Sequence, residues 1–189
     1  MAPPPPGGNP GFFEEYYGRV YRYVRTMARD PAESEDLTQE AFLRAHRERE
    51  TLKDPAAMLS WLFRIATHVT LDRLRQKRSL AARESKLDPA EIDPPDLGGL
   101  SLEKDFEQRE MSACIHRFLV DLPDDYRSVI LLHDMHALTG PEIAEVLDVP
   151  LPRVKIRLHR ARRRLKAALE AGCEFSCDSR GVLVCQPKK

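Results

Sequence analysis

The sequence has no net charge, since 30 basic and 30 acidic side chains balance among its 189 residues, and it has few aromatic residues. No apolar run approaches the roughly 20 residues that a membrane-spanning helix needs. The opening MAPPPPGGNPG is rich in proline and lacks the apolar stretch of a signal peptide. We therefore expect residues 1–10 to form a disordered tail, and we expect a cytoplasmic protein without membrane insertion.

Motifs of several enzyme classes are also missing. The sequence contains no glycine-rich phosphate loop, no HExxH motif and no plausible set of residues for a nucleophile triad. His133 and His136 are three residues apart and could suggest a metal site, but their position near a helix end favours a polar structural role. We predict a protein that is not an enzyme and that needs no cofactor or metal.

The zero net charge hides a strong segregation of charge along the chain. Residues 30–40 carry five acidic side chains and no basic one, and residues 84–110 carry nine acidic and three basic ones. Residues 150–170 carry eight basic side chains and one acidic one. Charge sorted in this way indicates several partners, one of them a polyanion.

Apolar residues recur at helical spacing over most of the chain, and no sheet-like alternation interrupts the first half. The proline- and acid-rich stretch LDPAEIDPPDLGG reads as a linker. We predict an all-α fold of two small helical domains. The predicted helices cover 12–29, 31–47, 55–78, 102–119 and 124–133, followed by a pair within 140–169. The predicted domains are 11–80 and 102–170, joined by a flexible acidic linker at 81–101 and followed by a tail at 171–189.

The stretch from Thr139 to Leu169 has the spacing of a helix-turn-helix motif. Thr139 and Glu142 fit a capping box, and Asp148 begins a three-residue turn. A second helix then begins near Pro152. At 100° per residue its apolar side chains form one stripe and basic side chains line both shoulders. The predicted stripe is Val154, Leu158, Ala161 and Leu165.

Such a helix matches the DNA major groove, with its basic shoulders against the phosphates. A merely solvated basic face is the alternative, but this helix has no acidic residues at i+4 to pair its arginines. The predicted contacts are Arg153, Lys155, Arg157 and Arg160. Arg153 and Arg157 are our candidates for reading guanine.

The third predicted helix has two apolar stripes, which indicates burial on two sides. Its remaining face is a narrow polar and basic strip suited to a polyanion. That strip contains Ser60, Arg64, Thr67, His68, Leu71, Arg75 and Arg78. Trp61 borders the first apolar stripe, and core packing competes there with stacking on an unpaired base. His68 could be solvated or could contact nucleic acid.

Three segments together resemble a bacterial extracytoplasmic-function (group IV) sigma factor of the sigma-70 family. They are SEDLTQEAFLRAHR at 34–47, WLFRIATHVTLDRLRQKR at 61–78 and LPDDYRSVILLHDMHALTGPEIAEVLDVPLPRVKIRLHRARRRL at 122–165. The resemblance implies a subunit that binds core RNA polymerase and directs initiation at promoters. The first domain would be sigma region 2 and the second would be region 4.

The resemblance also assigns partners to each part of the chain. Region 2 would dock on the clamp helices of the largest polymerase subunit through Asp36, Leu37, Gln39, Glu40, Phe42 and Leu43. The third helix and the loop at 47–54 would melt the −10 element through Arg64, His68, Arg75, Arg78 and Trp61. Region 4 would bind the −35 duplex and meet the flap of the second-largest subunit. An anti-sigma factor is a further expected partner.

Several positions depart from the pattern of that family. His68 stands where Asn is common, Ile156 where Ser is frequent, and Pro152-Arg153 where small polar residues begin the recognition helix. The promoter sequence is therefore not transferable from a relative. The main alternative function is a helix-turn-helix regulator that binds duplex DNA as a dimer, without acting as a polymerase subunit.

The tail CEFSCDSRGVLVCQPKK lies outside the resemblance and predicts a small hairpin with a turn at 178–181. Three readings of its cysteines stay open. Cys173, Cys177 and Cys185 form the small core of an unreactive hairpin, or Cys173 faces Cys185 in a thiol sensor, or the group binds zinc with His159 or a partner's ligand.

Overall fold

A computed structural model describes residues 10–84, 115–177 and 183–188, and these are mostly helical. The first unit contains α1 (Pro10–Ala28), α2 (Pro31–Arg47) and α3 (Met58–Glu84). The second contains α4 (its described residues 115–120), α5 (Asp124–Ile130), α6 (Gly140–Leu147) and α7 (Leu151–Gly172). The predicted all-α class with two helical units is confirmed. The predicted tail before Pro10, most of the linker, the helix at 102–114 and the turn at 178–181 lie outside the described residues.

The first unit is a three-helix bundle whose termini are set by local signals. Asp30 caps α2, because its carboxylate accepts a hydrogen bond from the Glu33 N–H at 2.7 Å. Pro31 occupies the first turn, where a missing N–H costs nothing. The apolar residues of α2 recur at helical spacing and are buried against α1 and α3; they are Leu37, Ala41 and Ala45.

The third helix differs from its prediction at both ends. A short 3-10 turn at Pro55–Ala57 precedes it, and the helix continues to Glu84 rather than ending near Arg78. The residues after Arg78 are SLAARE, which favour a helix and include no glycine or proline. The first apolar stripe is buried as predicted, and it consists of Met58, Leu62, Ile65 and Val69.

The two units pack against each other and share one hydrophobic core. Helix α6 lies on α3, and the ring of His136 contacts Phe63 with 4.6 Å between ring centroids. Arg19 of α1 donates a hydrogen bond to the carbonyl oxygen of His136 at 3.1 Å. Burial on two sides was predicted for α3, but the second neighbour turns out to be the other unit.

Arg127 of α5 is a buried cation that joins the units. Its guanidinium donates to the carbonyl oxygens of Leu119, Val120 and Leu122 in its own unit, and to that of Met27 at the end of α1 at 2.9 Å. Burial, reinforced by the positive charges of Arg29 and Arg78, lowers the pKa of Arg127 to about 10. The side chain is therefore still charged at neutral pH.

Helix α5 ends in a π-turn at Leu131–Met135, where a regular helix was predicted to reach His133. The His136 N–H bonds back to the Leu131 carbonyl at 3.1 Å, a five-residue step. The extra residue places Asp134 beside α7 and His136 against α1 and α3. The two histidines therefore occupy different environments, which supports the structural role expected for them.

The helix-turn-helix elements form as predicted. The Thr139 hydroxyl and the Glu142 carboxylate make the two reciprocal bonds of a capping box at the start of α6. Asp148 ends α6 with a left-handed backbone conformation, φ 50°, which a short polar side chain tolerates. The chain then turns directly into α7.

After α7 the chain forms an antiparallel hairpin of β1 (Cys173–Cys177) and β2 (Leu183–Pro187). The predicted hairpin is confirmed, but one detail of the thiol-sensor reading is wrong. Phe175 pairs with Cys185, and Cys173 pairs with Pro187, so Cys173 does not face Cys185 across the strands.

Candidate nucleic-acid interface

Helix α7 packs its apolar stripe against the other helices of the second unit and exposes its opposite face to solvent. Val154 and Ala161 are completely buried, and Leu158 and Leu165 pack partly against the same core. These four residues form the predicted apolar stripe, and their burial confirms the prediction. Helical periodicity alone was enough to identify them. Pro152 lies in the first turn, where a helix tolerates proline.

Several basic side chains on the shoulders of α7 are bound to the protein itself. Arg157 forms an ion pair with Asp125 of α5 at 2.7 Å, and Arg162 binds Asp134 of the π-turn at 3.0 Å. Arg164 lies over the ring of Tyr126, 5.3 Å from its centroid. The partners come from α5 and the π-turn rather than from i+4 in the same helix.

The carboxylate of Asp134 is held in its charged form by these contacts. Burial alone would raise its pKa, but the hydrogen bonds from Arg162 and His133 outweigh burial and lower the pKa of Asp134. Arg162 is therefore committed to this ion pair at neutral pH. The ion pair with Asp125 restrains the side chain of Arg157, which was one of the two candidates for reading guanine.

The outward face of α7 carries cations of another kind. Arg153, Lys155, Arg160 and Arg163 are exposed, and none forms an ion pair with any residue that the structure describes. Three of the four predicted −35 contacts therefore stand free on this face, and the fourth, Arg157, is paired. Free arginines concentrated on one helix face leave a strong positive potential suited to phosphates.

The polar strip on α3 is narrower than predicted. Arg64 and Arg75 are exposed and His68 is half-buried, but Ser60 and Thr67 are buried. Thr67 donates a hydrogen bond to the Tyr23 hydroxyl at 2.8 Å, and Ser60 donates to the Ala57 carbonyl at 2.9 Å. Their expected exposure was wrong because α1 and α6 pack against α3.

Trp61 lies half-buried at the N-terminal end of the strip. Its indole N–H donates to the Thr51 hydroxyl at 3.0 Å, in the segment just before α3. The core packing predicted for Trp61 is therefore combined with a bond that fixes the ring beside that segment. The ring also stays partly accessible.

At the far end of the strip, Arg75 and Arg78 have acidic neighbours. Arg75 pairs with Asp72 at 2.9 Å within α3. Arg78 pairs with Asp124, the first residue of α5 in the other unit. The predicted DNA contact at Arg78 is thus occupied by a bond between the two units in this conformation.

The acidic face of α2 is the third predicted surface. Asp36, Gln39, Glu40 and Leu43 are exposed on it. Leu37 and Phe42 are not part of it, because Leu37 is buried in the core and Phe42 stacks on Tyr17 with 5.6 Å between ring centroids. Exposed apolar Leu43 beside carboxylates favours a protein partner over a nucleic acid.

A groove between α2 and α3 borders this face. Glu33 binds Arg73 at 3.0 Å and Lys77 at 2.5 Å there, which ties the start of α2 to α3. The part of the chain that the structure describes contains no group of three or more metal-ligating side chains. Nor does any helix in it have the length and apolar character needed to cross a membrane.

Sequence reasoning missed the contacts between helices that are distant in the sequence. Arg127 gave no local signal, because a single arginine in an apolar stretch does not reveal four carbonyl partners. The pairs of Arg157 with Asp125 and of Arg162 with Asp134 were hidden for the same reason, since each joins separate helices. Only the concentration of acids near the start of α5 hinted at them.

Comparison with protein families places known modules on both units. Residues 12–80 match the model described as Sigma-70 region 2, and residues 112–165 match that described as Sigma-70, region 4. The chain is 33% identical over 161 residues to the ECF RNA polymerase sigma factor SigW of Bacillus subtilis. That alignment covers 82% of this chain and 84% of SigW.

Other relatives and solved structures agree with this match. SigM of Mycobacterium tuberculosis, another ECF RNA polymerase sigma factor, is 31% identical, over 83% of this chain and 74% of its own length. The fold resembles RpoE of Bartonella quintana, solved with the anti-sigma factor NepR, with a TM-score of 0.65, 20% identity, and 84% of this chain and 94% of that one covered. It also resembles CnrH, solved with the cytosolic domain of CnrY, with a TM-score of 0.60, 24% identity, and 87% and 91% covered.

Proposed function

Because the chain belongs to the extracytoplasmic-function sigma factors of the sigma-70 family, we propose that its two basic helices divide promoter recognition between them. The protein binds core RNA polymerase and directs initiation at promoters by recognising −10 and −35 elements. In finer terms we assign it to group IV. We assign region 2 to residues 11–80, the linker to 81–101, region 4 to 102–170 and a cysteine-containing tail to 171–189.

Helix α7 is the proposed reader of the −35 duplex. The observation that carries this assignment is the set of free arginines on its outward face, next to shoulder arginines held by acidic partners. A helix in the major groove meets base edges with its outward face and phosphates with its shoulders. Arg153 is then placed toward bases, Arg160 supplies an unpaired cation to the phosphates, and Arg157 is positioned by Asp125 to approach the backbone.

The strip on α3 is the proposed surface for the −10 element. Arg64 and His68 lie in its middle, and Trp61 closes it beside the segment 47–54. Opening a duplex costs a few kcal/mol for each unstacked base, which contacts to the extruded base must offset. The partly accessible ring of Trp61 and the cations of the strip are suited to an unpaired base and its phosphates.

The exposed face of α2 is the proposed docking surface for the clamp helices of the polymerase. Asp36, Gln39, Glu40 and Leu43 would contact the polymerase, while Leu37 and Phe42 shape α2 from beneath. We place region 4 near the flap of the second-largest subunit. Action on the polymerase puts the protein in the cytoplasm.

An anti-sigma factor is the remaining proposed partner. RpoE, which has a similar fold, was solved with the anti-sigma factor NepR, and CnrH was solved with the cytosolic domain of CnrY. The free cations of α7 and the acidic face of α2 are the exposed charged surfaces that a regulator of this chain would cover.

Run-off transcription with purified core polymerase tests the proposal. The protein should direct new start sites that share −35 and −10 sequences. Arg64→Ala and His68→Ala should reduce transcription from a closed duplex promoter, and a template with a pre-melted −10 region should restore it. Arg160→Ala should stay defective on both templates, and Arg117→Ala, which is exposed on α4, should behave as the wild type.

The opposite result is equally clear. If core polymerase gains no promoter specificity while the protein alone binds duplex DNA tightly, the chain acts as a helix-turn-helix regulator. If all variants respond alike on both templates, the division of labour between α3 and α7 is wrong.

A further inference from the structure

Ile156 is an exposed apolar side chain in the middle of the basic surface of α7. It is 52% exposed, and it lies nearly opposite the buried Val154 and Leu158 on the helical wheel. A single exposed apolar residue is ordinary on a protein surface. The position of Ile156 is what distinguishes it, because it lies at the centre of the outward face rather than at an edge.

Free arginines surround this side chain. Arg153 precedes Ile156 by three residues, and Arg160 and Arg163 follow it by four and seven. All three therefore lie within about 60° of Ile156 around the helix axis. None of the three has an ion-pair partner among the described residues. A polyanion drawn to these arginines is thus brought directly onto an apolar contact point.

The bound surface must then supply an apolar group where Ile156 meets it. In the major groove of DNA the apolar group at a base edge is the C5-methyl of thymine. An isoleucine side chain offers no hydrogen bond to a base, so contact with a donor or acceptor would leave that group unpaired. Ile156 therefore favours an A·T pair at one position by packing on the methyl and disfavours the other pairs.

We propose that Ile156 reads the methyl group of one thymine in the −35 element. The inference rests on the proposed function of α7 and adds a base-reading role for a residue outside the basic set. Arginines beside it read or hold neighbouring positions, so the expected site combines one methyl contact with flanking arginine contacts.

Replacing thymine by deoxyuridine removes only the methyl group and is the direct test. The −35 sequence is first obtained by run-off transcription, and each thymine of both strands is then replaced in turn. Binding of the holoenzyme, assembled from core polymerase and the full chain, is measured by competition. One replacement should weaken binding about fourfold, the effect of burying one methyl-sized group.

Variants show whether Ile156 makes that contact. In Ile156→Ser the same deoxyuridine replacement should have no effect, so the two changes should be non-additive. Ile156→Val should keep most of the sensitivity, since it retains a branched apolar side chain. Met135→Ser is the matched control, because Met135 is also exposed and apolar but lies in the π-turn, and it should keep the full effect.

Three results would overturn the inference while the proposed function stands. They are a selected −35 element without an A·T pair, normal holoenzyme binding with no methyl-dependent position, and unchanged methyl sensitivity in Ile156→Ser. If Ile156→Ser keeps the base preference of the wild type but binds a protein partner more weakly, the side chain contacts that partner instead of DNA. Absence of promoter-specific binding by the holoenzyme would overturn both the function and the inference.

Discussion

The guanidinium of Arg127 donates a hydrogen bond to the carbonyl oxygen of Met27, and the bond of 2.9 Å links the two helical units. The same group also binds three carbonyl oxygens of its own unit. Such a cation is costly to bury unless its donors are used, and here they are used on both sides of the interface. Arg127 is therefore central both to the second unit and to its contact with the first.

Arg127→Ala should lower the free energy of unfolding by about 3 kcal/mol or more, because several buried carbonyls lose a charged donor and a cavity forms. Urea unfolding followed by circular dichroism measures the change. Arg163→Ala is the matched control, since Arg163 is exposed and unpaired among the described residues, and it should change stability by less than about 0.5 kcal/mol. Equal effects of the two variants would contradict the role assigned to Arg127.

Release of Arg78 should strengthen binding of single-stranded −10 DNA. Asp124→Asn removes the carboxylate that pairs with Arg78, and this breaks one ion pair between the units. Fluorescence anisotropy with a non-template −10 strand should show tighter binding than for the wild type, by about twofold to fivefold, in the range of one exposed charge pair. Asp121→Asn, a nearby exposed acid, should have little effect. Weaker binding by Asp124→Asn would show that the ion pair does not compete with DNA.

Acid should destabilise the protein through His136. Burial, together with the positive charges of Arg19 and Arg22, lowers the pKa of His136 to about 4. The unfolded chain takes up the proton near pH 6.5, so stability is full above that pH and falls toward about pH 4, below which this contribution is flat.

The variant His136→Phe isolates that contribution. The variant keeps an aromatic ring beside Phe63 and Tyr23 but cannot take up a proton there. Between pH 6.5 and 4 its free energy of unfolding should therefore fall by about 2 kcal/mol less than that of the wild type. Urea midpoints at several pH values give the comparison. The buried His116 also has a lowered pKa and contributes with the same sign in both proteins. Parallel pH profiles of wild type and variant would contradict the assignment.

The two classes of arginine on α7 should differ in the salt dependence of DNA binding. Contact with four to six phosphates predicts a log–log slope near −4 to −5 for the wild-type protein on a −35 duplex. Arg160→Ala should reduce that slope by about 0.9, because a free cation is lost. Arg162→Ala should change it by less than half as much, since Asp134 already neutralises Arg162. Similar changes in both variants would show that the ion pairs open on DNA.

Cys173 should react slowly with thiol reagents in the native protein. Only 3% of the residue is exposed, and the strand register sets it opposite Pro187 rather than Cys185. Diagonal neighbours in a hairpin lie roughly 7–8 Å apart, beyond ordinary disulfide reach. Alkylation followed by peptide mass spectrometry should find Cys173 protected until urea is added. A native Cys173–Cys185 disulfide after mild oxidation would mean that the hairpin changes its register.

Local patterns predicted much of this molecule. Helix α2 has the bounds that Pro31 and the apolar line indicated, the capping box at Thr139 forms, and the stripe through Val154 and Ala161 is buried. Each depends on residues within a turn or two of one another, so the sequence contains the whole signal.

Features that depend on distant segments could not be predicted in the same way. Thr67 was expected to be exposed, but it is buried where the other helices enclose α3. Arg157 and Arg162 lack acids within their own helix and find them on α5 and the π-turn. Packing between helices that are distant in the sequence decides each of these cases, and no short-range periodicity predicts it.

The π-turn at Leu131–Met135 gives the second unit a phase shift of one residue. In a regular α-helix of the same length, the side chains after it would point about 100° away from their present directions. Asp134 would then no longer meet Arg162, and His136 would no longer reach Phe63. Deletion of a single residue from this turn would leave the helices intact and yet break the contacts of Asp134 with Arg162 and of His136 with Phe63. The register of one turn thus sets the orientation of the whole DNA-reading half.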